Sequence, residues 1–248
     1  MTRKQNLGFT LIELAIVLVI VALLSSGLMM TLSAQYENVA SSETQRRLND
    51  AREALLGYAA ANGRLPCPAL GGATGIESPI GGGICNDNWD GFLPAITLGI
   101  SPTNENGYAL DGWGNPIRYA TTKDRAYQVT TTNQIKTAWN AGATLSNGQL
   151  AADLRVCNTA AGITGSGASA SCATGSDLST NAVAVIYSRG NNGASAPVSA
   201  DEVANGDADR AFVSHTPTPA GANEFNDLVI WLSPNILYSR LIAAGRLP

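Results

Sequence analysis

The chain has 248 residues, with 15 Lys and Arg against 19 Asp and Glu, a net charge of -4 and a single histidine. That length accommodates one long helix and one globular domain of ordinary size. The sparse, net-acidic charge argues against sequence-independent binding of nucleic acid, which needs clustered Lys and Arg to neutralise phosphate.

The amino terminus carries Arg3 and Lys4, then Gly8-Phe9-Thr10-Leu11-Ile12-Glu13-Leu14, and from Leu14 to Tyr36 there is no charge at all. A secretory signal has a basic start and a short apolar core, closed by small residues at a cleavage site. Here the apolar core does not stop early. Counted from Phe9 it reaches the ~20 residues needed to cross a bilayer core, so 9–36 reads as a transmembrane helix. Arg3 and Lys4 hold the amino terminus on the cytoplasmic side, and the chain beyond Gln35 lies in the periplasm or outside. Glu13 stands out, because a carboxylate in a span costs up to ~3 kcal/mol, and less near an end. It either reaches headgroups and water or finds a partner on another chain.

Residues 37–62 contain no proline, and Ala40, Thr44, Leu48, Ala51, Leu55 and Ala59 recur at three- and four-residue steps. That is one apolar stripe on a helix. Glu43 and Arg47 stand four apart in the favourable order. Asn62-Gly63 is a stop signal and Pro66 and Pro68 forbid continuation, so one helix is predicted from Phe9 to Asn62. Its first half is apolar all round; its second half buries one face against a head, 63–248.

Within the head, 63–115 is rich in turn formers, with short apolar pieces at Phe92-Leu93 and Ile96-Thr97-Leu98. The sequence Asp111-Gly112-Trp113-Gly114-Asn115-Pro116 reads as a tight turn with a buried indole. Ile117–Thr121 and Ala126–Thr131 read as a hairpin. Residues 140–181 are heavy in Ala, Gly, Ser and Thr and read as a long surface insertion. Ala182–Ser188 and Asp227–Leu232 read as strands. Ser233-Pro234 supplies an N-cap and a first-turn proline for a helix over Pro234–Ala244.

Cys67, Cys85, Cys157 and Cys172 all follow the apolar span. An even count in an exported chain points to disulfides. Three pairings are open, and the local ones, Cys67–Cys85 and Cys157–Cys172, are preferred because each closes a short loop. Asp201, Asn205, Asp207 and Asp209 gather around Gly206 and are weak calcium candidates, although their spacing does not fit the twelve-residue calcium loop. A solvated acidic loop is the simpler reading, and no cofactor is otherwise expected. A Ser-His-Asp hydrolase would need His215 as its base. That residue sits in Ser214-His215-Thr216-Pro217-Thr218-Pro219, read as an exposed loop, and Gly165-Ser166-Gly167 adjoins no strand–helix junction. The chain reads as a non-enzyme.

The basic leader, Gly8 before Phe9, Thr10, Glu13 and the apolar run to Leu32 together resemble the leader and first helix of type IV prepilins and type II secretion pseudopilins. Trp113-Gly114-Asn115-Pro116 is similar to an element that precedes the first sheet strand in pseudopilin-like proteins. The resemblance implies removal of residues 1–8 by a prepilin peptidase that cuts after Gly8 and N-methylates Phe9. It makes Glu13 the fifth residue of the mature chain, where it could pair with the Phe9 amine of a neighbouring helix. The implied fold is α+β and pilin-like, a long N-terminal helix packed on a small antiparallel sheet. The implied partners are other pilin or pseudopilin subunits, the peptidase and the inner membrane before assembly, with no specific nucleic acid. The chain departs from many major pilins in having Ser25, Ser26 and Gly27 where they carry a mid-helix proline. The head and its long insertion favour a minor pilus subunit. A type II secretion pseudopilin and a filament-tip binding module stay open.

Overall fold

A computed structural model describes residues 10–72, 74–87, 89–123, 128–141 and 152–247, and across 25–34 it describes the backbone alone. The chain divides into two compact units, 1–40 and 41–248. Helix α1 spans Leu11–Asn62.

In the first unit the side chains from Leu11 to Leu24 are exposed, with Leu11 at 87% and Leu23 at 69%. No helix among the described residues is long and apolar enough to cross a membrane.

The second unit is layered. Strands β1 (Gly91–Phe92), β2 (Arg118–Thr121), β5 (Ala184–Ser188) and β7 (Leu228–Leu232) form an antiparallel sheet in the order β1-β2-β5-β7. Strands β3 (Leu154–Cys157), β4 (Asp177–Ala182) and β6 (Ala211–Val213) form a second sheet, β4-β3-β6, in which β3 and β6 run parallel. Short helices α2 (Ala95–Leu98), α3 (Gln134–Asn140) and α4 (Ala200–Ala204) lie in the connections, and α5 (Pro234–Ala243) follows β7.

Every residue of β5 is buried, and the two-residue period of a strand sorts them. Ala184 and Ile186 join Leu48, Leu55, Leu56 and Ala59 of α1 with Leu237 and Leu241 of α5 in the main core. Val185 and Tyr187 face the other way, into a cluster with Leu154, Val156 and Phe212 of the second sheet. The first sheet therefore has helices on one face and the second sheet on the other. The stripe read from the sequence is the buried face: Ala40, Thr44, Leu48, Ala51, Leu55 and Ala59 are all at most 3% exposed.

Several sequence expectations are corrected. The described part of 126–131 does not pair with β2: 124–127 lie outside the described residues, 129–131 form turns and bends, and the partners of β2 are β1 and β5. The segment 140–181 is not merely a surface insertion, because it supplies β3 and most of β4 and places Leu154 and Val156 in a core cluster; its part 142–151 lies outside the described residues. The single strand over Ala182–Ser188 is divided at Val183, where β4 leaves one sheet and β5 enters the other. The head holds two sheets, one of them mixed, rather than one antiparallel sheet. The Ser233 side chain makes no capping bond to α5, and Pro234 alone marks the start. The Trp113 indole is half-buried; the buried group of that turn is Asp111.

Candidate functional site

The candidate site is the start of α1. Thr10 precedes the first helical residue and Glu13 is three residues on. The Thr10 backbone N–H donates to Glu13 Oε2 at 2.9 Å, the Thr10 hydroxyl donates to the same oxygen at 2.8 Å, and the Glu13 N–H donates to Thr10 Oγ1 at 3.4 Å. This is a reciprocal capping box. It satisfies donors that the first helical turn leaves without partners and sets a carboxylate at the positive end of the helix dipole. Sequence reasoning singled out Glu13 for its charge but missed Thr10 as its partner. The signal was there, since Thr-x-x-Glu ahead of an apolar run is the pattern of such a box. Both residues remain exposed. Gly8 and Phe9 lie outside the described residues. Cleavage after Gly8 would leave the Thr10 amide intact, so the box does not depend on the leader.

In the head, polar anchors tie α1 to its surroundings. Arg47 bonds Glu43 Oε1 at 2.7 Å and donates to the carbonyls of Leu110 and Asp111 at 2.7 and 3.0 Å. The Gly112 N–H donates to Thr44 Oγ1. Asp111 Oδ1 accepts from the N–H groups of Trp113 and Asn115, and its Oδ2 accepts from the Ser188 hydroxyl at 2.5 Å. The Asp-Gly-Trp-Gly-Asn turn is thus a clasp between α1 and β5. At the far end Arg64 and Glu77, both buried, form a two-pronged ion pair at 2.7 Å that also holds the Tyr58 hydroxyl. Burial opposes the Glu77 charge, but the Arg64 guanidinium holds its carboxyl below the usual range. Arg246 closes the helix, donating to the carbonyls of Ala60 and Ala61.

Cys67 is bonded to Cys85 and Cys157 to Cys172, closing loops of 18 and 15 residues. Of the calcium candidates, Asp207, which is exposed, and Asp209 meet through their side chains, while Asp201 and Asn205 are engaged elsewhere. Asp201 accepts from Thr159 and Ala160 and lies 3.2 Å from His215 Nε2. Asn205 is buried between Val213 and Asp227, and Asp209 accepts from Ala211. Among the described residues no group of three His, Cys, Asp or Glu is placed to hold a metal ion. The segment is not a solvated loop either, since Glu202, Asn205 and Asp209 are buried. Burial, with Glu202 nearby, pushes the Asp227 carboxyl up to about 7. His215 is not a free loop residue: its ring stacks on Phe225 at 3.9 Å.

Residues 3–29 match the family model for the prokaryotic N-terminal methylation motif, which is characteristic of type IV pilins and pseudopilins. That match supports a type IV pilin-like or pseudopilin protein and implies processing by prepilin peptidase and assembly with other pilin subunits. Neither the curated proteins nor the solved structures yield a match.

Proposed function

We propose that this chain is a structural subunit, a minor pilin, of a type IV pilus or related filament. In this reading residues 1–8 are removed after Gly8, Phe9 is N-methylated, and residues 9–36 anchor the protein in the inner membrane before they carry it into the filament. The observation that carries the reading is the methylation motif continuous with α1, whose Leu11–Leu24 surface is apolar and exposed along its length. Such a surface is stable only in lipid or against other helices. Two disulfide-linked loops and a two-sheet head suit a subunit displayed in an oxidising compartment.

Type II secretion pseudopilin is the second reading, favoured by the Trp113-Gly114-Asn115-Pro116 turn, whose preceding residues Leu110, Asp111 and Gly112 bond Arg47 and Thr44 of α1. The test common to both is mass analysis of the mature amino terminus, with Gly8 and Glu13 substituted in parallel. Wild type should begin at methylated Phe9. Gly8→Val should keep its leader, and Glu13→Ala should be cut but incorporate poorly into filaments. An exported chain that retains residues 1–8 would overturn the proposal.

A further inference from the structure

Beside the first disulfide lies a cavity of about 490 Å³. Its volume falls in the range of small-molecule sites. Trp89 forms part of the wall and holds a left-handed backbone with φ of 62°. A bulky residue rarely adopts that conformation, and such outliers gather at binding sites. The Trp89 N–H donates to Asp87 Oδ2 at 2.9 Å, which fixes the turn. The rim carries Ile84, 75% exposed.

The polar lining holds unused hydrogen-bonding capacity. The Lys123 ammonium lies 3.6 Å from Asp87 Oδ1, beyond hydrogen-bond length, and that buried oxygen has no hydrogen-bond partner among the described residues. The same ammonium sits 4.6 Å from the centre of the Trp89 ring. Asp153 lines the cavity and uses Oδ1 to accept from the Thr122 hydroxyl and the Lys123 N–H. Gln128 uses its Oε1 to accept from Thr131, which leaves its amide N–H groups as donors. Thr130 donates to the Gly83 carbonyl and keeps its lone pairs. The lining carries one ammonium, Lys123, and one carboxylate, Asp153, with Asp87 buried beside that ammonium, so the wall holds no excess charge that calls for an ionic ligand. It offers both donors and acceptors at close quarters, and one face of its indole is already covered by Lys123.

We propose that this cavity binds an uncharged saccharide, recognised through its hydroxyl groups by Lys123, Gln128 and Asp153. A polyol satisfies donors and acceptors together without adding charge, and its ring fills a wall of mixed polarity. The site is independent of the assembly reading, since a chain that binds no sugar can still be processed and built into a filament.

The test uses the full chain in a zwitterionic detergent without a sugar headgroup. Immobilised neutral oligosaccharides are probed alongside acidic saccharides and simple amines, and any hit is titrated in solution. Gln128→Ala removes a donor, and Ala168→Trp on the exposed wall fills the cavity. Saturable binding of a neutral saccharide is expected, weakened about tenfold or more in each variant at unchanged melting temperature. Binding of acidic saccharides or amines alone, binding indifferent to both substitutions, or no binding of any neutral saccharide would each overturn the proposal.

Discussion

Glu13 Oε2 takes two hydrogen bonds from Thr10 of its own chain. Its role in the lone helix is to start that helix, and any pairing with the amine of a neighbouring Phe9 must coexist with the box or displace it. Glu13→Gln separates the two roles, because glutamine can serve in a capping box and carries no charge. If charge pairing drives assembly, Glu13→Gln should incorporate as poorly as Glu13→Ala, while Thr10→Val should incorporate like wild type and lose only about 1 kcal/mol of helix capping. Filament yield by immunoblot of sheared fractions reads both. Normal incorporation of Glu13→Gln would assign Glu13 to capping alone. Asp227 makes a second case. Its folded value of about 7 lies above the ordinary 3.8, so the folded head favours the protonated form. The contribution is fully present below about pH 4 and is lost as pH rises through 7, a change on the order of a few kcal/mol. Melting temperature should therefore fall across that window, and Asp227→Asn should flatten the fall.

The head half of α1 was legible because its stripe is local. Spacing of three and four residues puts Leu48, Ala51, Leu55 and Ala59 on one face, and the fold buries that face. Leu55→Ala should cost roughly 2–5 kcal/mol, the range for a fully buried leucine truncated in a packed core, as read by denaturant unfolding. The strands were less legible. β2 finds its partner β5 more than sixty residues later, and β3 runs parallel to β6 across a similar gap. No local period encodes such pairings, so a hairpin within 117–131 looked better than it is. Small residues misled in 140–181 for a related reason: Leu154 and Val156 are the only large apolar residues of β3, and two residues on a two-residue period disappear in a background of Ala, Gly and Ser. At the candidate site the motif exposed Glu13, but the identity of its partner depended on reading Thr10 as a cap.

At the scale of the whole molecule, the two disulfides secure different regions. Cys67–Cys85 closes the loop that carries Glu77, and Cys157–Cys172 lies within a third cluster with Ala204, Val213 and Phe225. Replacing either pair by serine should lower stability by about 2–4 kcal/mol, measured by thermal melting of the oxidised variants. The Cys67/Cys85 replacement should also leave the Arg64–Glu77 pair less protected in hydrogen exchange.

Arg246 caps α1 from 186 residues further along the chain, through the Ala60 carbonyl. The helix end is therefore sealed only once the polypeptide has folded back on itself from beyond α5. Fragments that stop short of α5 would lack both that seal and Leu237 and Leu241 of the main core, leaving an open apolar groove along α1 that marks them for proteolysis.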